Sequence, residues 1–272
     1  MVCLVRDIPV YYEEYGAGKP VINIHGWPVD HRMMVEPFEP IFSQMKGYRR
    51  IYIDLPGMGK TPSAEWIKNS DNMLEVVTEF INTVIGEENF LLTGESYGGY
   101  LALGLIHEMG NRIDGVLLLC AMIDPREDEE KNLPERQVIW KPEQLDFIDE
   151  DSCEYKYMDM AVVATPQMYE KWQNIILPAL GIADMEFLSN HCDMWYSPDF
   201  QKSVDQITFD KPSCILTGRQ DHLVGYKIAY ELVERFPRAT YAVLDSAGHL
   251  LEGEREPLFG QLVKDWICRV EL

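Results

Sequence analysis

The sequence is short of positive charge: 24 Lys and Arg stand against 45 Asp and Glu, a formal net charge of −21. That deficit argues against the basic stripe that a nucleic-acid partner or an anionic lipid surface requires. It leaves the substrate open, because an acidic surface also serves solubility. Long hydrophobic runs are missing as well. Nowhere do about 18 apolar residues follow one another, as a membrane-crossing helix needs, and the start of the chain has no basic stretch leading into an apolar one. The six cysteines, Cys3, Cys120, Cys153, Cys192, Cys214 and Cys268, form no C-x-x-C pair. Cys120 and Cys214 lie inside apolar runs and read as small buried hydrophobes. A reducing, cytoplasmic setting is the expectation, with a small molecule as partner and a monomer or homodimer as the assembly. Metal and cofactor signatures are lacking too: there is no H-E-x-x-H, no EF-hand spacing and no G-x-G-x-x-G. Gly57-x-Gly59-Lys60-Thr61 lacks the earlier glycine of a phosphate loop. No cofactor and no metal are expected.

What is present is a rhythm. A chain of 272 residues, 46% of them hydrophobic, can form one substantial core. Two extended runs, 2–6 and 10–15, predict a leading hairpin. Short β-rich runs then follow at 21–24, 50–55, 90–93, 115–121, 213–218 and 239–244, and helical patterns separate most of them. Apolar strands alternating with helices predict a mostly parallel sheet covered on both faces. Pro37 and Pro40 are expected to break the helical pattern at 33–45. Ser70-Asp71 offers a cap for the next helix, Gly86 a stop. Further helices are expected at 224–236 and 257–270.

The rhythm fails between residues 123 and 205. No strong strand is visible there, prolines interrupt the helical segments, and aromatics and methionines are frequent. The window holds 19 Asp and Glu against 7 Lys and Arg, a net of −12. It reads as a helical lid inserted after the sixth strand, within a core formed by residues 1–122 and 206–272.

The chemistry centres on Gly94-Glu95-Ser96-Tyr97-Gly98. A bare G-x-S-x-G is a short pattern, but here an apolar strand runs into it and a helical pattern leaves it. That is the context of a serine lifted out of a sharp turn. Gly94 and Gly98 let the backbone pass where a Cβ would collide. A serine hydroxyl needs an adjacent base. Among His25, His31, His107, His191, His222 and His249, the last lies in a Gly-bearing loop just past the final strand. Loops leaving the carboxyl ends of parallel strands converge, so His249 is the expected base. Asp221, three residues past the end of the preceding strand, is its expected orienting carboxylate, with helix capping as its plainer role. The backbone N–H groups of Tyr97 and Trp27 are the candidate oxyanion donors. Gly26 permits the turn before Trp27, and His25 reads as a brace for that loop. Asp54 reads as fixing its own turn.

These landmarks together resemble the α/β-hydrolase superfamily, in its lid-bearing branch of serine hydrolases: carboxylesterases, lactonases, C–C bond hydrolases, prolyl aminopeptidases and cofactor-free haloperoxidase-like enzymes. His25-Gly26-Trp27-Pro28 is similar to the branch's oxyanion loop and Asp54-Leu55-Pro56-Gly57-Met58-Gly59 to its D-x-x-G-x-G turn. Gly94 to Gly98 resembles its elbow, Gly218-x-x-Asp221 its acid loop and Gly248-His249 its base loop. Relatives that share His-Gly-Trp-Pro but use an aspartate nucleophile differ at the elbow, where this chain has Ser96. The resemblance implies an α/β-hydrolase fold and a serine hydrolase acting on a carboxylic ester or related acyl bond of a small, largely apolar substrate. Three alternatives remain: an aminopeptidase holding an amine with a lid carboxylate such as Glu154 or Glu186, a C–C bond hydrolase, and a non-catalytic small-molecule receptor.

Overall fold

A computed structural model describes residues 1–126, 133–141, 160–190 and 197–272. Its centre is an eight-stranded sheet. The strands are β1 (Val2–Val5), β2 (Ile8–Gly16), β3 (Lys19–Ile24), β4 (Tyr48–Ile53), β5 (Phe90–Glu95), β6 (Ile113–Leu119), β7 (Ser213–Gly218) and β8 (Ala239–Leu244). They lie in the order β1-β2-β4-β3-β5-β6-β7-β8. β1 and β2 pair antiparallel, as do β2 and β4, and every later pairing is parallel. β5 and β7 are buried at every position, which is why they read as unbroken apolar runs rather than alternating ones.

After β3 the chain steps to one side to form β4 and then returns to form β5 on the other. That reversal opens a crevice at the carboxyl ends of the strands, the place where open α/β sheets bind ligands. The register sets which loops meet there. Ile24 pairs with Gly94, Glu95 with Leu119 and Gly218 with Leu244. The loops that follow β3, β5, β7 and β8 therefore leave one edge side by side.

Helices α1 (Arg32–Phe42), α2 (Ser70–Ile85) and α3 (Tyr97–Met109) alternate with the strands, and α11 (Glu256–Val270) closes the chain. Three local expectations are corrected. α1 runs unbroken through Pro37 and Pro40, because its face of Met33, Met34, Pro37, Phe38, Ile41 and Phe42 is buried. Burial of that face outweighs the backbone hydrogen bonds that the two prolines forfeit. The cap of α2 is Asn69, whose side chain accepts from the Asn72 amide, while the Ser70 hydroxyl is buried against the Tyr97 hydroxyl at 3.1 Å. The helix expected from 224 begins later and is split into α8 (Lys227–Tyr230) and α9 (Leu232–Arg235). Its intended first turn is occupied by the Asp221 loop and by Gly225 at φ 69°.

The segment between β6 and β7 is a helical lid. It comprises α4 (Pro166–Lys171), a π-helical turn (Trp172–Ile176), α5 (Leu177–Ile182), α6 (Met185–Asn190) and α7 (Pro198–Gln206). Thr165 caps α4 and Ser197 caps α7, each followed by proline at the first helical position. Ala161, Ala164, Met168, Trp172, Ile176 and Ala179 pack with Val29, Met33 and Leu250. The lid thus rests on the segments that follow β3 and β8. Several expected lid aromatics, Phe147, Tyr155, Tyr157, Trp195 and Tyr196, lie outside the described residues, as does much of the lid's acidic charge. No helix among the described residues is long and apolar enough to cross a membrane.

Candidate active site

Ser96 joins the end of β5 to the start of α3 at φ 51°, ψ −116°, a conformation that L-residues rarely hold. The turn is fixed by its own backbone. The Ser96 amide donates to Leu119 O, and the Ser96 carbonyl accepts from the amides of Gly99, Tyr100 and Met122 at 3.0–3.2 Å. The glycines around it have no room for a side chain. A Cβ on Gly94 would lie 2.4 Å from Gly98 O, and one on Gly98 2.3 Å from Ile24 O. Ser96 is half-buried in an otherwise buried run from Phe90 to Ile106, so its side chain stands at the edge of the packed interior.

Asp221 and His249 meet across the loops after β7 and β8. His249 Nδ1 lies 2.9 Å from Asp221 Oδ2, and both side chains are buried. The second carboxylate oxygen accepts from the amides of Leu223 and Val224 at 2.9 and 3.2 Å. Asp221 therefore does both tasks considered for it: it orients the ring and stops its own loop. Burial would raise its pKa, but the His249 charge and hydrogen bond and the two amides outweigh burial and lower it. For His249 the balance runs the other way. Burial would lower its pKa, but Asp221, with Glu95 and Glu252 adding to it, raises it to about 9.

The other ring nitrogen, Nε2, faces Glu95 Oε1 at 3.5 Å. Among the described residues the Ser96 hydroxyl makes no hydrogen bond to that ring. Glu95 is the middle residue between Gly94 and Ser96 and is almost wholly buried. Burial is the main cause that raises its pKa, to about 7, against the pull of His249 and the Gly26 amide. Gly26 stands so close that a Cβ there would lie 2.2 Å from Glu95 Oε2 and 2.9 Å from Ser96 Cβ. The β3 loop, the elbow and the Glu95 carboxyl are thus in mutual contact.

The remaining expected residues fall as follows. His25 is fully buried, with Nδ1 2.7 Å from Gly26 O and Nε2 accepting from the Leu55 amide at 3.1 Å. One nitrogen donates and the other accepts, so the ring is neutral, and burial lowers its pKa. It braces its loop. Trp27 precedes Pro28 through a cis peptide, and its ring lies edge-on to the Tyr97 ring at 5.7 Å. Tyr97 begins α3, so its amide belongs to a first helical turn, whose N–H groups point away from the helix body. Asp54 accepts from the His31 amide, from His31 Nδ1 and from the Lys60 amide at 2.7–2.9 Å, fixing its turn. His107 is exposed, His222 is half-buried and His191 lies outside the described residues. Glu186 is exposed on α6 and Glu154 is outside the described residues.

Three groups had no signal in the sequence. Glu95 is one, since the middle position of the motif has no pattern of its own. Glu254, on α10 (Leu251–Glu254), is the second. It accepts from the Val162 and Val163 amides of the lid at 2.6 and 3.0 Å and from the Gly248 amide at 2.6 Å. The third is an ion cluster: Lys171 Nζ on α4 lies 2.8 Å from Glu252 of α10 and 2.7 Å from Glu36 of α1. Two buried groups, Cys120–Asp221–His249 and Asp30–His31–Asp54, bring three ligand-type atoms within 4.8 Å. In each the histidine Nδ1 is hydrogen-bonded to an aspartate.

This fold, with a serine elbow, a buried Asp–His pair on loops from the same sheet edge and a helical lid after β6, defines a class. Residues 23–259 match the model of the alpha/beta hydrolase family. A solved alpha/beta superfamily hydrolase from Oenococcus oeni PSU-1 superposes with a TM-score of 0.87 at 30% identity, covering 97% of each chain. A pimeloyl-(acyl-carrier protein) methyl ester esterase from Legionella pneumophila is 23% identical over 95% of this chain and 99% of its own length. A 2-hydroxy-6-oxononadienedioate/2-hydroxy-6-oxononatrienedioate hydrolase from Paraburkholderia phymatum is 23% identical over 96% of this chain and 91% of its own. The chain belongs to the alpha/beta hydrolase family.

Proposed function

We propose that the protein cleaves a carboxylic ester, or a related acyl bond, in a small and largely apolar molecule through an acyl-enzyme. Ser96 is the nucleophile, His249 the base and Asp221 the carboxylate that holds the ring in its Nδ1–H tautomer. The observation that supports this best is the buried Asp221–His249 hydrogen bond at 2.9 Å, on loops leaving the same sheet edge as the Ser96 elbow. Ser96 Oγ attacks the carbonyl carbon as His249 Nε2 takes its proton. The amides of Tyr97 and Trp27 receive the oxyanion, where one donor typically contributes about 3 kcal/mol. The imidazolium protonates the leaving group, and the neutral ring then activates water against the acyl-enzyme. Catalytic hydrogen bonds are often loose without substrate, and the relay requires the ring to turn from Glu95 toward Ser96.

The ester reading is also supported by the methyl ester esterase relative. The 2-hydroxy-6-oxo acid hydrolase relative favours a second reading, cleavage of a C–C bond beside a ketone by the same three residues. A p-nitrophenyl ester chain-length series, run beside aminoacyl-p-nitroanilides and a vinylogous diketone, separates these readings. Ester turnover, with fluorophosphonate labelling that disappears in Ser96→Ala, is the expected result. Diketone turnover in excess of ester turnover would select the second reading. Labelling that persists without Ser96 would remove both.

A further inference from the structure

Acyl transfer as written assigns nothing to Glu95, yet this residue is the nearest ionisable neighbour of the Nε2 that must take the serine proton. The carboxyl is 4% exposed, with Oε1 3.5 Å from His249 Nε2 and the Gly26 backbone close against Oε2. The groups that face this pair come from every surrounding element. Asp221 stands on Nδ1 from the β7 loop, Glu252 approaches from α10, and Cys120 lies at the end of β6. Lys171 of the lid is taken up by Glu252 and Glu36. The cation in contact with Glu95 is therefore the imidazolium itself. A buried carboxylate is stable only when paired or hydrogen-bonded, and the ring is its partner.

We infer that Glu95 is a positioning residue that holds the Nε2–H of the His249 imidazolium between turnovers, so that it shares with Asp221 control over when the base is ready. The inference rests on the reading of Ser96 as nucleophile and His249 as base. In the resting enzyme the ring is clamped on both sides, with Asp221 at Nδ1 and Glu95 at Nε2. The Nε2 proton must leave to solvent before the lone pair can accept the Ser96 proton, and the ring then turns from one neighbouring residue to the next. Glu95→Gln keeps the shape beside Gly26 but removes the charge that retains the proton.

The test is the pH dependence of kcat/KM for a p-nitrophenyl ester, measured on the full chain for wild type, Glu95→Gln and Ser96→Ala. In wild type the acid limb is expected above pH 8, well above the ordinary histidine value of about 6.5. In Glu95→Gln the limb moves down by about one unit, which makes the variant about tenfold more active relative to its own plateau at neutral pH. A role confined to packing would lower the rate at every pH and leave the midpoint in place, and that result would overturn the inference. So would a wild-type limb near the ordinary histidine value, a measurement that needs no variant to fold. Full turnover by Ser96→Ala would instead remove the underlying reading, so the two failures are distinguishable.

Discussion

Ser96 is held at φ 51° by backbone hydrogen bonds from three segments, and no part of that restraint comes from its own hydroxyl. Ser96→Ala should therefore fold normally and lose activity by at least about three orders of magnitude, with an unchanged melting temperature as the control. Asp221→Asn keeps the shape but favours the wrong ring tautomer, and kcat should fall by about four orders of magnitude. Gly98→Ala places a Cβ 2.3 Å from Ile24 O, a backbone atom that cannot move aside. Denaturant unfolding should show a loss of at least about 2 kcal/mol. The residues behind these predictions were legible in the sequence because each follows a strand at short, fixed spacing. Glu95 was not legible. Its importance arises only when the β3 loop, the elbow and the base loop are folded together, and nothing in the local pattern distinguishes it from a solvent-facing glutamate.

At the scale of elements, the inner strands were legible because burial on both faces leaves continuous apolar runs, and all eight strands appear at the expected places. Helix ends were less so. The rule that proline breaks a helix fails in α1, where the buried face decides. Pro40 is exposed on that helix, so Pro40→Ala restores an amide to the helical ladder without disturbing the core. The variant should be more stable by about 1 kcal/mol, the gained hydrogen bond and relieved crowding outweighing the extra freedom of the unfolded chain. A lower melting temperature would mean that the proline ring is part of the packing after all. The split of α8 from α9 was hidden for a different reason. Asp221 takes the amides of Leu223 and Val224 for the site, and a helical periodicity in the sequence does not record that competition.

At the scale of the molecule, two cross-links tie the lid to the short helix that follows His249. Lys171 is buried with Glu252, and the two compensate each other's desolvation. Burial lowers the lysine pKa, but Glu252 and Glu36 outweigh it and raise it. Lys171→Met leaves Glu252 as an uncompensated buried charge and should cost about 3–5 kcal/mol, most of it recovered when Glu252→Gln is added. Glu36 is half-exposed and contributes less. The net charge of −21 gives a second expectation. Raising monovalent salt from about 20 to about 200 mM near pH 8 screens long-range repulsion and should raise the melting temperature by a few degrees.

The second cross-link has a mechanical consequence. Glu254 grips the lid amides at Val162 and Val163 with one oxygen and the Gly248 amide, beside His249, with the other. Lifting the roof at that corner would drag the imidazole away from its aspartate. If the relay runs as proposed, a gaping form would be a silent one, and an acyl group on Ser96 would meet activated water only with the chamber shut.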